Sequence, residues 1–368
     1  MLEIGPLSAA PRPGFDNGPV SEAAWRTGAA VRAGTATALG SMPGGDPLET
    51  ARVLAGELPQ LMPLPELPAR GVGADIIGRT AGLLVELAVE VVPSGYRVAA
   101  RPGRDQRRAT DLLRRDLDAV EQAISEAGAP EAVKVQAAGP WTLAAGVELA
   151  RGHRVLTDPG ALRDFAESLT EGLTAHIGQV AARTGAPVVV QLDEPTLPAV
   201  LAGSLPTPSG YGQVPAVPGP EAQRLLGEVV ERLAAASGSP VIAHCCADRP
   251  PVALLRGAGA GAIALDATGL GEVSGALADE LGEAWEEGTA LVLGLVPGTE
   301  PAERADARAL ARPALDLAAR LGFGPRALVE RSLVSPACGL AGASPEWARR
   351  ALALTRELLD VFQEEAHR

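Results

Sequence analysis

Residues 240–266, PVIAHCCADRPPVALLRGAGAGAIALD, contain the pattern that decides the fold. A short apolar run, 240–243, ends in the triplet His-Cys-Cys, and a second run, 262–265, ends in an aspartate. Short apolar runs that end in polar or turn residues, separated by longer stretches, are typical of strand–helix units in a parallel sheet. This stretch therefore predicts two neighbouring parallel strands.

The same alternation extends outward to residue 34 on one side and to the end of the chain on the other. Six further strands are predicted, at 35–40, 65–71, 132–137, 187–192, 290–295 and 333–335. Apolar residues at helical spacing predict helices at 158–184, 220–237, 274–287, 302–321 and 345–365. Eight strands with helices between them predict an α/β protein, a (β/α)8 TIM barrel over residues 34–368, with an open doubly wound sheet as the alternative.

Composition excludes several classes of function. The net charge of −13 argues against nucleic acid as a partner, because binding phosphates requires a basic surface. No apolar run approaches the length of a membrane span, and the N-terminus lacks a basic segment followed by an apolar one, so a cytoplasmic protein is predicted. Residues 1–33, rich in Gly, Pro and Ala without a sustained period, are predicted to be a flexible lead-in.

Reactive side chains follow the predicted strands at their carboxyl ends, the face on which TIM barrels carry their active sites. His244 and Cys246 follow the fifth strand, Asp266 the sixth and Cys338 the eighth. Singly, each would equally be an ordinary structural residue, but as a set they match the ligands of zinc. A zinc ion with thiolate ligands binds an incoming thiol and lowers its pKa, which predicts alkyl transfer to sulfur. A redox pair of Cys245 and Cys246 is disfavoured, because adjacent cysteines close a strained ring.

Four motifs resemble the catalytic C-terminal barrel of the cobalamin-independent methionine synthase family. They are LGSMP at 39–43, LDEP at 192–195, HCC at 244–246 and VSPACGL at 334–340. The resemblance runs from about residue 35 to the end, and it implies a zinc-dependent methyltransferase that forms methionine from homocysteine. The implied zinc ligands are His244, Cys246 and Cys338, and the implied homocysteine site is formed by Leu39, Gly40, Ser41, Glu66 and Asp193. No catalytic residue beyond the zinc centre is predicted.

Departures from the family pattern concern the fourth ligand and the methyl donor. Asp266 stands where the family has a glutamate ligand, and Val296 stands where it has a proton-donating histidine. The N-terminal half that helps long family members bind polyglutamyl folate has no counterpart here. The resemblance therefore implies a donor other than that polyglutamyl folate, first of all a methylated corrinoid, free or on a partner protein, with a methylfolate as the second choice. Two alternatives stay open: zinc-dependent alkyl transfer to another thiol, such as one that opens an epoxide, and a non-catalytic barrel that acts as a binding protein.

Overall fold

The structure, a computed structural model, describes residues 31–207, 210–270 and 275–368. The strands are β1 (Met62–Pro63), β2 (Ala88–Val92), β3 (Gly95–Ala99), β4 (Val133–Ala138), β5 (Val147–Glu148), β6 (Val188–Asp193), β7 (Ile242–His244), β8 (Ala262–Asp266), β9 (Ala290–Val296) and β10 (Ser332–Pro336). The helices are α1 (Pro47–Glu57), α2 (Ile76–Ala81), α3 (Arg104–Ala127), α4 (Pro140–Gly146), α5 (Pro159–Thr184), α6 (Leu197–Ala202), α7 (Gly219–Ser237), α8 (Val252–Gly257), α9 (Gly275–Glu286), α10 (Ala307–Arg320), α11 (Arg326–Arg331) and α12 (Pro345–Ala366).

Seven strands form one sheet in the order β1-β4-β6-β7-β8-β9-β10, and every neighbouring pair is parallel. The α/β class and the parallel sheet are thus confirmed, and helices lie at all five predicted positions. Among the described residues the sheet has seven regular strands, so the predicted barrel of eight is confirmed only in part. Most of the predicted lead-in falls on residues 1–30, outside the described part of the chain.

The sheet curls, as the two faces of its strands show. Val135 and Val190 face outward into the large cluster that packs the sheet against the helices. Alternate residues face inward, where Leu61 beside β1, Val189 in β6 and Leu333 in β10 share one cluster. Because β1 and β10 are opposite edges of the sheet, their side chains meet only if the sheet bends around this inner cluster.

The first predicted strand is an extended segment, residues 34–42, that joins the two edges of the sheet. Ala36 forms a parallel bridge with Val334 in β10, and Ser41 forms one with Glu66. The backbone N–H of Met42 donates to the carbonyl of Glu66 at 2.9 Å. The segment therefore crosses from one edge strand to the chain just after the other.

Two local predictions differ from the structure. The strand predicted at 65–71 lies earlier, at β1, and residues Pro68–Arg70 form a single 3-10 turn. Pro63, Pro65 and Pro68 lack the N–H that a sheet ladder uses, so the ladder is interrupted and the regular strand is short. A small second sheet, β2-β3-β5, was not predicted. No helix in the described ranges is both long and apolar enough to cross a membrane.

Candidate active site

The inward positions of β4 and β6 turn polar toward the carboxyl end of the sheet. Lys134 and Gln136 follow Ala132 at intervals of two, and Gln191 and Asp193 follow Val189 in the same way. All four polar side chains are buried, and Lys134 is 0% exposed. Gln136 lies opposite Gln191 in the strand register. The centre of the curled sheet therefore holds polar groups, where the other strands present small apolar residues.

Three of these inward side chains form a continuous hydrogen-bonded row with His244 of β7. The Nζ of Lys134 donates to Oε1 of Gln191. The Nε2 of Gln191 donates to Oδ1 of Asp193 at 2.7 Å and to the carbonyl of Leu39 at 3.0 Å. The same Oδ1 lies 2.7 Å from Nδ1 of His244. The row thus connects the interior of the sheet to the imidazole at the end of β7.

The imidazole of His244 presents one unused nitrogen. A carboxylate only accepts hydrogen bonds, so Nδ1 of His244 is the donor to Asp193. The other nitrogen, Nε2, is buried and has no hydrogen-bond partner among the described residues. A buried nitrogen without a partner costs free energy unless a ligand or metal occupies it. Carboxylate–histidine pairs of this kind typically orient a metal-binding imidazole.

Cys246 and Cys338 bring two thiols together from the loops after β7 and β10. Their Sγ atoms lie 3.3 Å apart, well beyond the ~2.05 Å of a disulfide bond. The two thiols are hydrogen-bonded to each other, and this contact lowers the pKa of Cys338 to about 6. His244 ends β7 immediately before Cys245 and Cys246, so its imidazole lies at the same rim.

Asp266 lies at the same rim but is held in its own loop. It ends β8, and its Oδ1 accepts hydrogen bonds from the backbone N–H of Thr268 at 2.9 Å and the Thr268 hydroxyl at 2.6 Å. Within the described residues, no three His, Cys, Asp or Glu side chains are gathered closely enough to form a ready metal site. The structure therefore pairs Cys246 with Cys338 and places His244 and Asp266 at the same rim, all with donor types that zinc prefers, but it does not gather the four into a ligand set.

The predicted substrate loop, residues 39–41, lies between Glu66 and the Cys338 loop. Gly40 has φ +123°, and a Cβ there would lie 2.4 Å from Nε2 of Gln136 and 3.0 Å from Oε2 of Glu66. Only glycine fits this close approach. On the other side, the backbone N–H of Leu340 donates to the carbonyl of Ser41 at 2.8 Å. The loop is therefore held between Glu66 and Gln136 on one side and Leu340 on the other.

Glu66 lies at this loop in a strongly charged surrounding. Its Oε1 is 3.5 Å from Nε of Arg79, which in turn contacts Asp116 at 2.7 Å. Burial raises the pKa of Glu66 to about 7, and the charge of Arg79 opposes the shift. Burial also lowers the pKa of Lys134 to about 7, while Asp193 and Glu66 oppose that shift. Both groups therefore titrate near neutral pH.

The two carboxylates of the Asp-Glu-Pro motif, Asp193 and Glu194, have different roles. Asp193 faces the site, whereas Glu194 is completely buried at the start of α4. Its two oxygens accept from the backbone N–H of Trp141 at 3.0 Å and from the N–H and hydroxyl of Thr142, both at 2.7 Å. Glu194 is therefore a structural residue that anchors the loop after β4. Val296, the last residue of β9, is buried and carries no proton.

Sequence reasoning missed Lys134, Gln191, Arg79 and Asp116. The available signal was polar residues at every second position of otherwise apolar strands, in VKVQAA of β4 and VVVQLD of β6. Such positions all face one side of a sheet, which here is the interior. Arg79 and Asp116 lie on helices α2 and α3, where nothing in the sequence distinguishes them from surface charges.

Comparisons with solved structures agree with this fold. One similar chain is a B12-independent methionine synthase from Shewanella sp. W3-18-1 in complex with selenomethionine. Its TM-score is 0.55 at 11% identity, and the match covers 90% of this chain and 98% of that one. Another is a methyltransferase from Methanosarcina mazei, with a TM-score of 0.52, 16% identity, and coverage of 91% and 93%. At these identities the likeness shows a TIM-barrel-like fold alone. No curated protein matches the chain.

The family model described as "Cobalamin-independent synthase, Catalytic domain" matches residues 34–360. The match includes all four motifs and every predicted site residue, and it confirms the resemblance to cobalamin-independent methionine synthases. This chain therefore belongs to the family of cobalamin-independent synthase catalytic domains.

Proposed function

We propose that residues 34–368 act as one zinc-dependent methyltransferase, which transfers a methyl group to the thiol of homocysteine and forms methionine. The observation that carries the proposal is the imidazole of His244. Asp193 holds its Nδ1 at 2.7 Å, its buried Nε2 lacks a partner in the described chain, and the thiols of Cys246 and Cys338 meet at the same rim.

His244, Cys246 and Cys338 would hold the zinc, with Asp266 as a fourth ligand only if its carboxylate leaves Thr268. When bound, zinc supplies the Lewis acid that keeps a substrate thiol in its thiolate form. Asp193 supports the ligand set by accepting from Nδ1 of His244, which leaves the lone pair on Nε2.

The amino-acid part of homocysteine would lie on the loop 39–41. Glu66 and Asp193 provide carboxylates for the substrate ammonium, and the backbone of Leu39, Gly40 and Ser41 contacts the rest of its amino-acid group. An ammonium between two carboxylates forms charge-assisted hydrogen bonds, which are the stronger kind. Gly40 brings the loop close to Glu66 because its missing Cβ leaves room for that contact.

The methyl donor, we propose, is a methylated corrinoid rather than a methylfolate. The support is Val296, whose apolar side chain ends β9 where the family places a proton donor. A folate leaving group needs a proton, whereas a corrinoid leaves with the electron pair of the broken bond and needs none. The thiolate sulfur forms the new bond to the methyl carbon as the bond to the donor breaks.

The test measures zinc content and methionine formation with purified protein. We expect about one zinc per chain and methionine from homocysteine with methylcobalamin, but not with methyltetrahydrofolate. Activity with methyltetrahydrofolate alone would contradict the corrinoid as methyl donor. Protein that stays zinc-free after reduction and zinc resupply would contradict the zinc-dependent mechanism. Protein that binds zinc but methylates only other thiols would favour the wider thiol-alkylation alternative.

The pH dependence of the KM tests whether homocysteine, the proposed methyl acceptor, is bound through its ammonium group. With a pKa of about 7, Glu66 becomes neutral as pH falls below 7, so its attraction for the substrate ammonium is lost. Lys134 loses its charge as pH rises through about 7, which also makes the pocket more negative at high pH. We expect the KM for homocysteine to rise about tenfold from pH 8 to pH 6, since a hydrogen bond to a charged group contributes about 1.5–3 kcal/mol.

Glu66→Gln is expected to raise the KM at pH 8 and to flatten most of its pH dependence. Asp193 is a poorer probe because it also holds His244. Glu148→Gln is the matched control, since Glu148 is buried and paired with Arg97 in the small second sheet. An unchanged KM for Glu66→Gln at every pH would mean that the acceptor is not bound through its ammonium group at Glu66.

A further inference from the structure

We propose that Lys134 is a positioning residue, which acts through Gln191 and Asp193 to fix the His244 imidazole with its proton on Nδ1. Lys134 touches neither the proposed zinc ligands nor the loop 39–41 through a hydrogen bond in the described structure. Its effect would travel along the row of hydrogen bonds from the interior of the sheet to the rim. The consequence for metal binding rests on the proposed function, but the tautomer of His244 does not.

Lys134 is a fully buried lysine, and burying its charged group is energetically unfavourable. Lys134 is 0% exposed, and the one hydrogen bond that its side chain makes within the described residues is to Oε1 of Gln191. Taking a charged group out of water is costly, and well-packed apolar residues at such positions often give equal or greater stability. The neighbouring inward positions Ala132 and Val189 show that this interior accepts apolar residues. Stability alone therefore does not account for Lys134.

The orientation of the Gln191 amide is determined from both of its sides. Its Nε2 faces two acceptors, the carbonyl of Leu39 at 3.0 Å and Oδ1 of Asp193 at 2.7 Å. Its Oε1 faces the Nζ of Lys134, which donates. A flipped amide would put its oxygen against two acceptors and its NH2 against a donor. Lys134 thus holds Gln191 in the orientation that donates to Asp193.

Asp193 connects the oriented amide of Gln191 to the imidazole of His244. One oxygen, Oδ1, accepts from Gln191 and from Nδ1 of His244, each at 2.7 Å. Because Gln191 restrains the carboxylate, Asp193 stays available as the acceptor for Nδ1. The remaining lone pair of the imidazole is thereby placed on Nε2, the buried nitrogen that has no described partner. Removing a contact that orients a metal-binding imidazole typically changes metal affinity about 10–100-fold.

The experiment compares wild type, Lys134→Met and Gln191→Glu by 15N NMR of histidine-labelled, metal-free protein, with zinc affinity measured by chelator competition. We expect the neutral His244 ring to be protonated on Nδ1 in wild type. Both variants should populate the second tautomer and bind zinc about 10–100-fold more weakly. Gln191→Glu keeps the partner of Lys134 while removing the donor to Asp193, and it decides the question if Lys134→Met does not fold.

Thr37→Val is the matched control, because Thr37 is buried and donates to the carbonyl of Leu61 outside this row. It should keep the wild-type tautomer and zinc affinity. A wild-type tautomer in a folded Lys134→Met protein, or in Gln191→Glu, would overturn the proposal. Wild-type protein that binds no zinc would instead overturn the proposed function, while the tautomer comparison would still decide the role of Lys134.

Discussion

Replacing Cys338 by alanine is expected to remove zinc and methyl transfer together. Cys338 provides one of only two thiols at the rim, and its Sγ lies 3.3 Å from that of Cys246. Loss of a direct ligand should weaken zinc binding by more than about 100-fold, since even the loss of a residue that only orients a ligand weakens it about 10–100-fold. Metal content after dialysis against a weak chelator and the rate of methionine formation are the two measurements.

Cys245→Ala is the control for this experiment, because Cys245 is the immediate neighbour of Cys246 in sequence. Its side chain is fully buried in the outer core, where burial raises the pKa of the thiol to about 11. The variant should retain zinc and activity. Stoichiometric zinc in Cys338→Ala, or equal zinc loss in both variants, would contradict the assignment of Cys338 as a ligand.

Replacing Glu194 by alanine is expected to lower the free energy of unfolding by about 3–5 kcal/mol. The change leaves three buried donors without an acceptor, the N–H groups of Trp141 and Thr142 and the Thr142 hydroxyl. Each unsatisfied buried group costs about 1–3 kcal/mol. Because domains are stable by only about 5–15 kcal/mol, the effect should be plain in urea denaturation.

Two further variants provide reference values for the loss in the free energy of unfolding that is expected for Glu194→Ala. Glu194→Gln keeps one acceptor oxygen but turns an NH2 group toward a donor, so its loss should be smaller than that of alanine. Ser344→Ala removes a single cap hydrogen bond, from the Trp347 N–H at 3.0 Å, and should cost about 1 kcal/mol. A loss for Glu194→Ala no greater than that of Ser344→Ala would contradict the anchoring role.

The strand ends were predictable because each of the longer strands is a compact apolar run with a polar residue directly after it. β6, β8 and β9 begin and end within one or two residues of their predicted positions. The rim position of Asp193, His244 and Asp266 follows from that regularity. Short strands were less predictable, since the prolines around β1 shorten it and leave Glu66 to pair with Ser41 through an isolated bridge.

The interactions among the site residues could not be read from sequence. His244 contacts Asp193, a residue on a different strand, and its role depends on a tautomer that no sequence pattern encodes. Asp266 lies at the end of its strand as predicted, but its carboxylate accepts two hydrogen bonds from Thr268, which keep it within its own loop. Lys134 was hidden because a lysine inside an apolar strand runs against the usual exposure of charged residues.

The segment 34–42 has a consequence for how the protein is made. Its backbone bonds to Ser332 and Leu340, so residues 34–42 gain these partners only after residues 332–340 have been made. Contacts between such distant parts of a chain form slowly. The loop that is proposed to bind the amino acid is thus completed only after residues 332–340 have been made, and a chain cut before them would lack these contacts.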